Sequence, residues 1–198
     1  MSKSRWLAAV VLIPGLALTA CGDDDDDDDA TPVTGTIPAA ASIDADAPAD
    51  NVVTVVATNY KFTDLPTSVP KGTKFELRND STDEVHEMIV IRIPDDEDRT
   101  VGQIAALTEA EQNAIFGDTE PATVIVALPG EVGQAVEGDG TVADEGRYAV
   151  VCFIPKGAPV DVIREAFESA SEPTGPPDMG TGAPHIALGM YGEVTVGG

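Results

Sequence analysis

Residues 146–153 read Gly-Arg-Tyr-Ala-Val-Val-Cys-Phe, and residues 192–196 near the end of the chain read Gly-Glu-Val-Thr-Val. Short runs rich in β-branched and aromatic residues, bounded by turn residues, are typical of strands. The same pattern predicts four further strands, at 52–57 (continued by 60–62), 74–79, 87–93 and 123–128. Short strands separated by turns predict a mainly β fold, a β-sandwich with short helical insertions.

The helical insertions are predicted in two regions. Apolar residues at helical spacing begin at Val101, and Thr108-Glu109-Ala110-Glu111 is a capping box that opens a second short helix to about Phe116. Val160, Ile163 and Phe167 predict an amphipathic helix at about 160–169. The stretch 129–144 reads as turns, and 172–184 reads as a Pro/Gly loop.

The first twenty residues have the pattern of an export leader. Lys3 and Arg5 precede an apolar run, Leu7–Ala20, which is too short to span a bilayer comfortably. The run ends in Leu18-Thr19-Ala20-Cys21, which resembles the lipobox of bacterial lipoproteins. The resemblance implies that 1–20 is removed and that Cys21 carries the lipid. The alternatives are an ordinary signal peptide or an anchor that is never cleaved.

The next segment, 21–51, is predicted to be a disordered tether. Seven consecutive aspartates, 23–29, repel one another, and the Ala, Pro and Thr-rich sequence after them offers little to bury. A weak cation trap is the alternative for the aspartates. We therefore expect a folded domain at 52–198, held by the lipid at the extracytoplasmic face of the cell membrane.

The charge of the chain excludes one class of partner. The formal net charge is −24, with only 11 Lys and Arg residues in total. Nucleic-acid binding requires clustered basic residues, so nucleic acid is not expected as a partner. An acidic surface keeps a protein soluble and could also attract a basic partner protein.

Four side chains suggest metal chemistry. Two cysteines are present, and if Cys21 is lipidated, Cys152 has no partner in a compartment where disulfides form. Such a thiol should be buried, paired between chains, reactive or metal-bound. The two histidines of the chain, His86 and His185, lie at predicted strand–loop boundaries, as does Cys152, and Met190 follows shortly after His185. Two imidazoles, a thiolate and a thioether suit copper better than zinc.

These residues carry a family resemblance. The chain from 52 to 196 resembles cupredoxins of the plastocyanin type in four segments: Tyr60–Phe62 with Val69–Thr73, Asn79 with His86, Gly146–Cys152, and His185–Val196. The resemblance implies a Greek-key β-sandwich with one type 1 copper ion that exchanges single electrons with a redox partner protein. It also implies His86, Cys152 and His185 as equatorial ligands, Met190 as the axial ligand and Asn79 as a group just outside them.

The chain departs from the family pattern at one place. Thirty-two residues separate Cys152 from His185, where the family has only a few. Lengthening a loop this much adds roughly 2–3 kcal/mol of closure entropy, which does not forbid the site. The helix predicted at 160–169 would form a lid over the metal or a docking surface.

Other readings of the same residues remain open. His86 could be an ordinary hydrogen-bonded histidine, Cys152 an inert buried thiol and Met190 a core residue, while Met179 is an alternative axial ligand. The domain would then be a metal-free binding module that presents its helical insertions to an envelope partner. An enzyme is not expected, because a copper oxidase or reductase needs further histidines and a Cys–His hydrolase leaves Met190 without a role.

Overall fold

The structure of the chain is a computed structural model, and it describes residues 51–168 and 179–197. The strands are β1 (Val52–Thr58), β2 (Lys61–Thr63), β3 (Ser68–Pro70), β4 (Thr73–Asn79), β5 (His86–Arg92), β6 (Thr123–Ala127), β7 (Gln134–Glu137), β8 (Thr141–Val142), β9 (Gly146–Val151) and β10 (Tyr191–Gly197). The helices are α1 (Val101–Ala105), α2 (Glu109–Phe116) and α3 (Val160–Glu168), and a 3-10 helix covers His185–Leu188. The leader, Cys21 and most of the tether predicted from the sequence lie outside the described residues.

The strands form two sheets, which confirms the predicted β-sandwich. The smaller sheet has the order β2-β1-β4-β8, and the larger sheet has the order β3-β10-β9-β5-β6-β7. β1 runs parallel to β4 and β10 runs parallel to β3, while the other neighbours are antiparallel. Neighbours that are distant in sequence, such as β1 with β4 and β9 with β5, show that the chain crosses repeatedly between the sheets.

The main core lies between the sheets, and a second core lies outside the larger one. Tyr148 and Val150 of β9, with Cys152 directly after the strand, face the main core, whereas Ala149 and Val151 belong to a cluster with Val101 of α1. The two-residue period of a strand therefore places an apolar run on two covered faces. The apolar strand β5 is covered in the same way, as its sequence predicts.

The short helices begin where their sequences indicate. Thr108 Oγ1 accepts a hydrogen bond from Glu111 N–H at 3.4 Å, and the Glu111 carboxylate accepts one from Thr108 N–H at 2.9 Å. This reciprocal pair is the predicted capping box at the start of α2. α1 has a similar pair between Thr100 and Gln103.

Three local predictions were wrong. Residues 60–62 do not continue β1, because the chain reverses at Tyr60, whose φ is 58°, and β2 pairs antiparallel with β1. The turn-rich stretch 129–144 contains two short strands, β7 and β8. They are formed by pairing with β6 and β4 rather than by a strand pattern in their own sequence. His185 lies on a 3-10 helix rather than at the boundary of a strand.

Within the part of the chain that the structure describes, no helix has the length and apolar character needed to cross a membrane.

Candidate metal centre

The order of strands in the larger sheet brings the predicted ligands together at one end of three neighbouring strands. β9 lies between β5 and β10 and is antiparallel to both. The start of β5, the end of β9 and the start of β10 therefore lie side by side. His86 is the first residue of β5, Cys152 follows the last residue of β9, and His185 and Met190 lie just before β10.

Three donor atoms lie close together at this end of the sheet. His86 Nδ1 lies 3.2 Å from His185 Nδ1, and Cys152 Sγ lies 3.4 Å from the same His185 nitrogen. The three donors lie within 4.8 Å of one another, and all three residues are buried. It is the one cluster of histidine, cysteine and acidic donors of this kind among residues 51–168 and 179–197. Two imidazole nitrogens and a sulfur at these distances are arranged to bind a single metal ion.

The long insertion does not keep Cys152 and His185 apart, because its two ends are paired. Lys156 N–H donates to Ala183 O at 2.9 Å, and His185 N–H donates to Ile154 O at 3.0 Å. We call 154–156 and 183–185, which these bonds join, the neck of the insertion. Because the neck brings residues 183–185 back beside residues 154–156, the length of the insertion does not set the distance between the two ligands.

Gly182 allows the two halves of the neck to approach. A Cβ at this position would collide with the carbonyl oxygen of Lys156. Because a backbone oxygen on the paired neck cannot rotate away as a side chain can, the position requires glycine.

The backbone holds Cys152 on three sides. Cys152 N–H donates to Met190 O at 3.3 Å, and Ile186 N–H donates to Cys152 O at 2.7 Å. Glu87 N–H points at the sulfur, with 3.4 Å between nitrogen and Sγ. A sulfur that accepts a backbone N–H is stabilised as a thiolate.

Met190 is placed beside the cluster by its backbone. Its N–H donates to His185 O at 3.0 Å, and its fully buried side chain belongs to the same core cluster as Cys152. Met179, the alternative axial ligand, is partly buried and packs against that core from the insertion.

His86 is fixed through its outer nitrogen. Its Nε2 lies 2.7 Å from Ser81 Oγ, and Ser81 N–H donates to Asn79 Oδ1 at 2.9 Å. Asn79 is fully buried, and its Nδ2 donates to the carbonyl oxygens of Glu84 and Ala127. Asn79 therefore orders the loop between β4 and β5 and acts on His86 through Ser81.

His185 has a different outer partner. Its Nε2 lies 3.4 Å from Glu84 Oε2, close enough for electrostatic attraction but without the geometry of a hydrogen bond. Glu84 is itself held by the Tyr60 hydroxyl at 2.7 Å and by Gly157 N–H at 3.0 Å. The Tyr60 ring covers His185 edge-on, with 4.9 Å between ring centroids.

Burial sets the protonation of the cluster. Desolvation and the neighbouring His185 lower the pKa of His86 to about 4. Desolvation also lowers the pKa of His185, although Glu84 opposes this. Burial, with a contribution from the Glu87 carboxylate, raises the pKa of the Cys152 thiol well above its usual value. Both imidazoles are therefore neutral near pH 7, which is the form that binds metals, and the thiol is protonated until a metal displaces its proton.

Solved structures of blue copper proteins are similar to this chain. Neither a protein-family model nor a curated protein sequence matches it. Reduced auracyanin from Roseiflexus castenholzii is 19% identical, covers 76% of this chain and 99% of its own, and has a TM-score of 0.40. Auracyanin A, a "blue" copper protein from Chloroflexus aurantiacus, is 14% identical, covers 73% and 98%, and has a TM-score of 0.34. These values are too low to determine the chemistry of this chain.

Sequence reasoning missed the residues that support the imidazoles. Ser81 and Glu84 read as part of a polar loop, and Tyr60 reads as part of a strand. Gly157 lies in the insertion, far from either histidine in sequence. The available signal for these supporting residues was the run of polar residues at 80–84, which leads into the candidate ligand His86.

Proposed function

We propose that this protein is a cupredoxin-like electron carrier that binds one copper ion at His86, Cys152 and His185, with Met190 as the axial ligand. The observation that carries the proposal is the convergence of Cys152 Sγ and the two Nδ1 atoms within 4.8 Å. Bound copper would supply reversible one-electron chemistry between its cuprous and cupric states.

The donor set and its surroundings fit copper. Imidazole and thiolate are ligands that copper accepts in both oxidation states, whereas a thioether is a poor ligand for zinc. The ligand-bearing segments are held by strand pairing and by the neck, so little has to move when an electron arrives. Ser81 and Glu84 face the outer nitrogens of the two imidazoles. The two Nδ1 atoms therefore face each other, and that of His185 lies 3.4 Å from the sulfur.

Electron transfer is proposed in preference to catalysis. The chain contains two histidines, and both are used in this one site. A second, catalytic copper would lack imidazole ligands. The redox partner is proposed to be a separate protein that exchanges electrons with the buried centre.

The test is addition of Cu(II) to the purified protein. We expect an intense visible absorption from thiolate-to-copper charge transfer in the wild type, its loss in Cys152→Ser and a changed spectrum in His185→Ala. A colourless wild-type protein with a freely reactive thiol would contradict the proposal and favour the metal-free binding module.

The axial assignment has a matched pair of variants. Met190→Leu should change the spectrum and raise the reduction potential, because a thioether is lost near the metal. Met179→Leu, which makes the same substitution in the insertion, should leave both unchanged. The opposite result would assign Met179 as the axial ligand.

The membrane location is proposed from the sequence. The lipobox resemblance at Leu18–Cys21 and the acidic stretch after it support a lipid-anchored protein at the extracytoplasmic face. The anchor would hold the folded domain near membrane-bound electron donors or acceptors.

A further inference from the structure

The outer nitrogen of His185 faces a buried charge instead of water. His185 is 0% exposed, and its Nε2 has no hydrogen-bond partner within the described residues. Glu84 Oε2 is the facing group at 3.4 Å, and the Glu84 side chain is only 9% exposed. A buried N–H without a full hydrogen bond costs free energy, so the nearby carboxylate is the group available to satisfy it.

Glu84 is held in this position from two other segments. Its Oε1 accepts from the Tyr60 hydroxyl at the reversal between β1 and β2, and its Oε2 accepts from Gly157 N–H in the insertion. Both carboxylate oxygens of Glu84 thus accept hydrogen bonds, and a carboxyl group that accepts at both oxygens is stabilised in its ionised form. The carboxylate is therefore a fixed negative charge beside the imidazole.

The insertion contributes directly to this arrangement. Gly157 follows the neck immediately, and Lys156 places its ammonium over the Tyr60 ring, 5.7 Å from the centroid. Tyr60 in turn covers His185. The segment between the cysteine and the second histidine thus closes the outer side of His185 and supplies one of the two bonds that hold Glu84.

We propose that Glu84 is a positioning residue of the metal centre, which directs His185 Nδ1 to the metal and stabilises the cupric state over the cuprous state. The inference rests on the proposed copper function and deepens it. A carboxylate at the outer nitrogen fixes the tautomer of a ligating histidine and makes the imidazole a stronger donor. A buried negative charge also favours the more positive metal state, because the surroundings screen it weakly.

The two imidazoles differ in this respect. Ser81, a neutral hydroxyl, faces the outer nitrogen of His86, and a carboxylate faces only His185. Of the two imidazoles, His185 is therefore the one whose outer partner favours the cupric state.

The first test is the reduction potential of copper-loaded Glu84→Gln, measured by spectroelectrochemical titration. The neutral amide keeps the size of the side chain and removes its charge. We expect cupric affinity to fall at least about tenfold relative to cuprous affinity, which raises the potential by about 59 mV. Glu76→Gln is the control, because it removes the same charge from an exposed position on β4.

Tyr60→Phe separates a charge effect from general loosening. It keeps the ring over His185 but removes the hydroxyl that donates a hydrogen bond to Glu84 and so partly neutralises the negative charge of that carboxylate. The potential should then fall, opposite in sign to the Glu84→Gln shift. This variant also serves if Glu84→Gln does not fold.

Each result has a defined meaning. A wild-type protein that takes up no copper would refute the proposed function itself. A copper-loaded wild type whose Glu84→Gln shift is no larger than that of Glu76→Gln would refute the role of Glu84 alone. Shifts of equal sign in Glu84→Gln and Tyr60→Phe, or an unchanged potential in Tyr60→Phe, would also refute it.

Discussion

His86 depends on a relay of short polar side chains. Asn79 binds the backbone of Ser81, and the Ser81 hydroxyl meets His86 Nε2. Asn79 also holds two carbonyl oxygens, so it orders the loop as a whole. Groups that fix the far nitrogen of a ligating histidine contribute to metal affinity without touching the metal.

Ser81→Ala should therefore weaken copper binding while the fold remains intact. Losing the hydroxyl that orients His86 is expected to lower copper affinity about tenfold. Competition with a chelator of known affinity measures the change. Thr82→Ala is the matched control, since the Thr82 hydroxyl is exposed and donates to the Asp83 carboxylate rather than contacting His86. Equal affinities in the two variants would mean that Ser81 does not orient the ligand.

Arg147 helps to attach the segment between β5 and β6 to the larger sheet. Arg147 of β9 donates to Glu193 of β10 at 3.0 Å and to the carbonyl oxygens of Glu97 and Arg99. Glu193 also accepts from Val101 N–H at the start of α1, at 3.3 Å. These bonds hold α1 against the second core, where Val101 clusters with Ala149 and Val151 of β9.

Glu97 makes this attachment sensitive to acid. Hydrogen bonds from the Arg99 side chain and backbone N–H lower the pKa of Glu97 from 4.5 to about 2. A carboxyl whose pKa is lowered by folding stabilises the folded state above its unfolded pKa and loses that contribution as pH falls through the folded value. Glu97→Gln should thus be less stable than wild type at pH 7, and the difference should shrink between about pH 4.5 and pH 2.

Urea unfolding of both proteins at several pH values checks this expectation. Glu165→Gln, which removes a glutamate charge at an exposed position on α3, is the matched control. A constant difference between Glu97→Gln and wild type from pH 7 to pH 2 would show that the ion pair is not the cause.

The N-terminal segment and the folded domain are expected to have separate functions. The strongly negative net charge of −24 disfavours contact with anionic lipid heads, and we propose that an acyl chain on Cys21 provides the membrane attachment. The folded part holds the metal site and its insertion. Attachment and metal binding should therefore be separable by mutation.

Metabolic labelling with a fatty acid tests the anchor. Cys21→Ser should carry no label and keep its leader, whereas Cys152→Ser, the matched control, should be labelled like wild type. Both masses are measurable on the purified proteins. Label in Cys21→Ser, or its loss in Cys152→Ser, would exclude Cys21 as the lipid attachment site.

Much of the architecture followed from local patterns. The apolar runs of β5, β6 and β9 and the capping box at Thr108 depend on residues close together in sequence, and the structure confirms them. The reversal at Tyr60 was not predicted, because the positive φ falls on a bulky aromatic residue that rarely adopts it, and the neighbouring Asn59 is the single local turn signal.

The sequence by itself determined the kinds of donor and the positions of His86 and Cys152 near strand ends, because ligand chemistry and strand patterns are properties of single residues and short runs. Only the tertiary structure decided that Cys152 and His185 meet, since this depends on β9 lying between β5 and β10 and on the paired neck. It also decided that Glu84 faces His185, because Tyr60 and Gly157 reach that carboxylate from segments that only packing brings together.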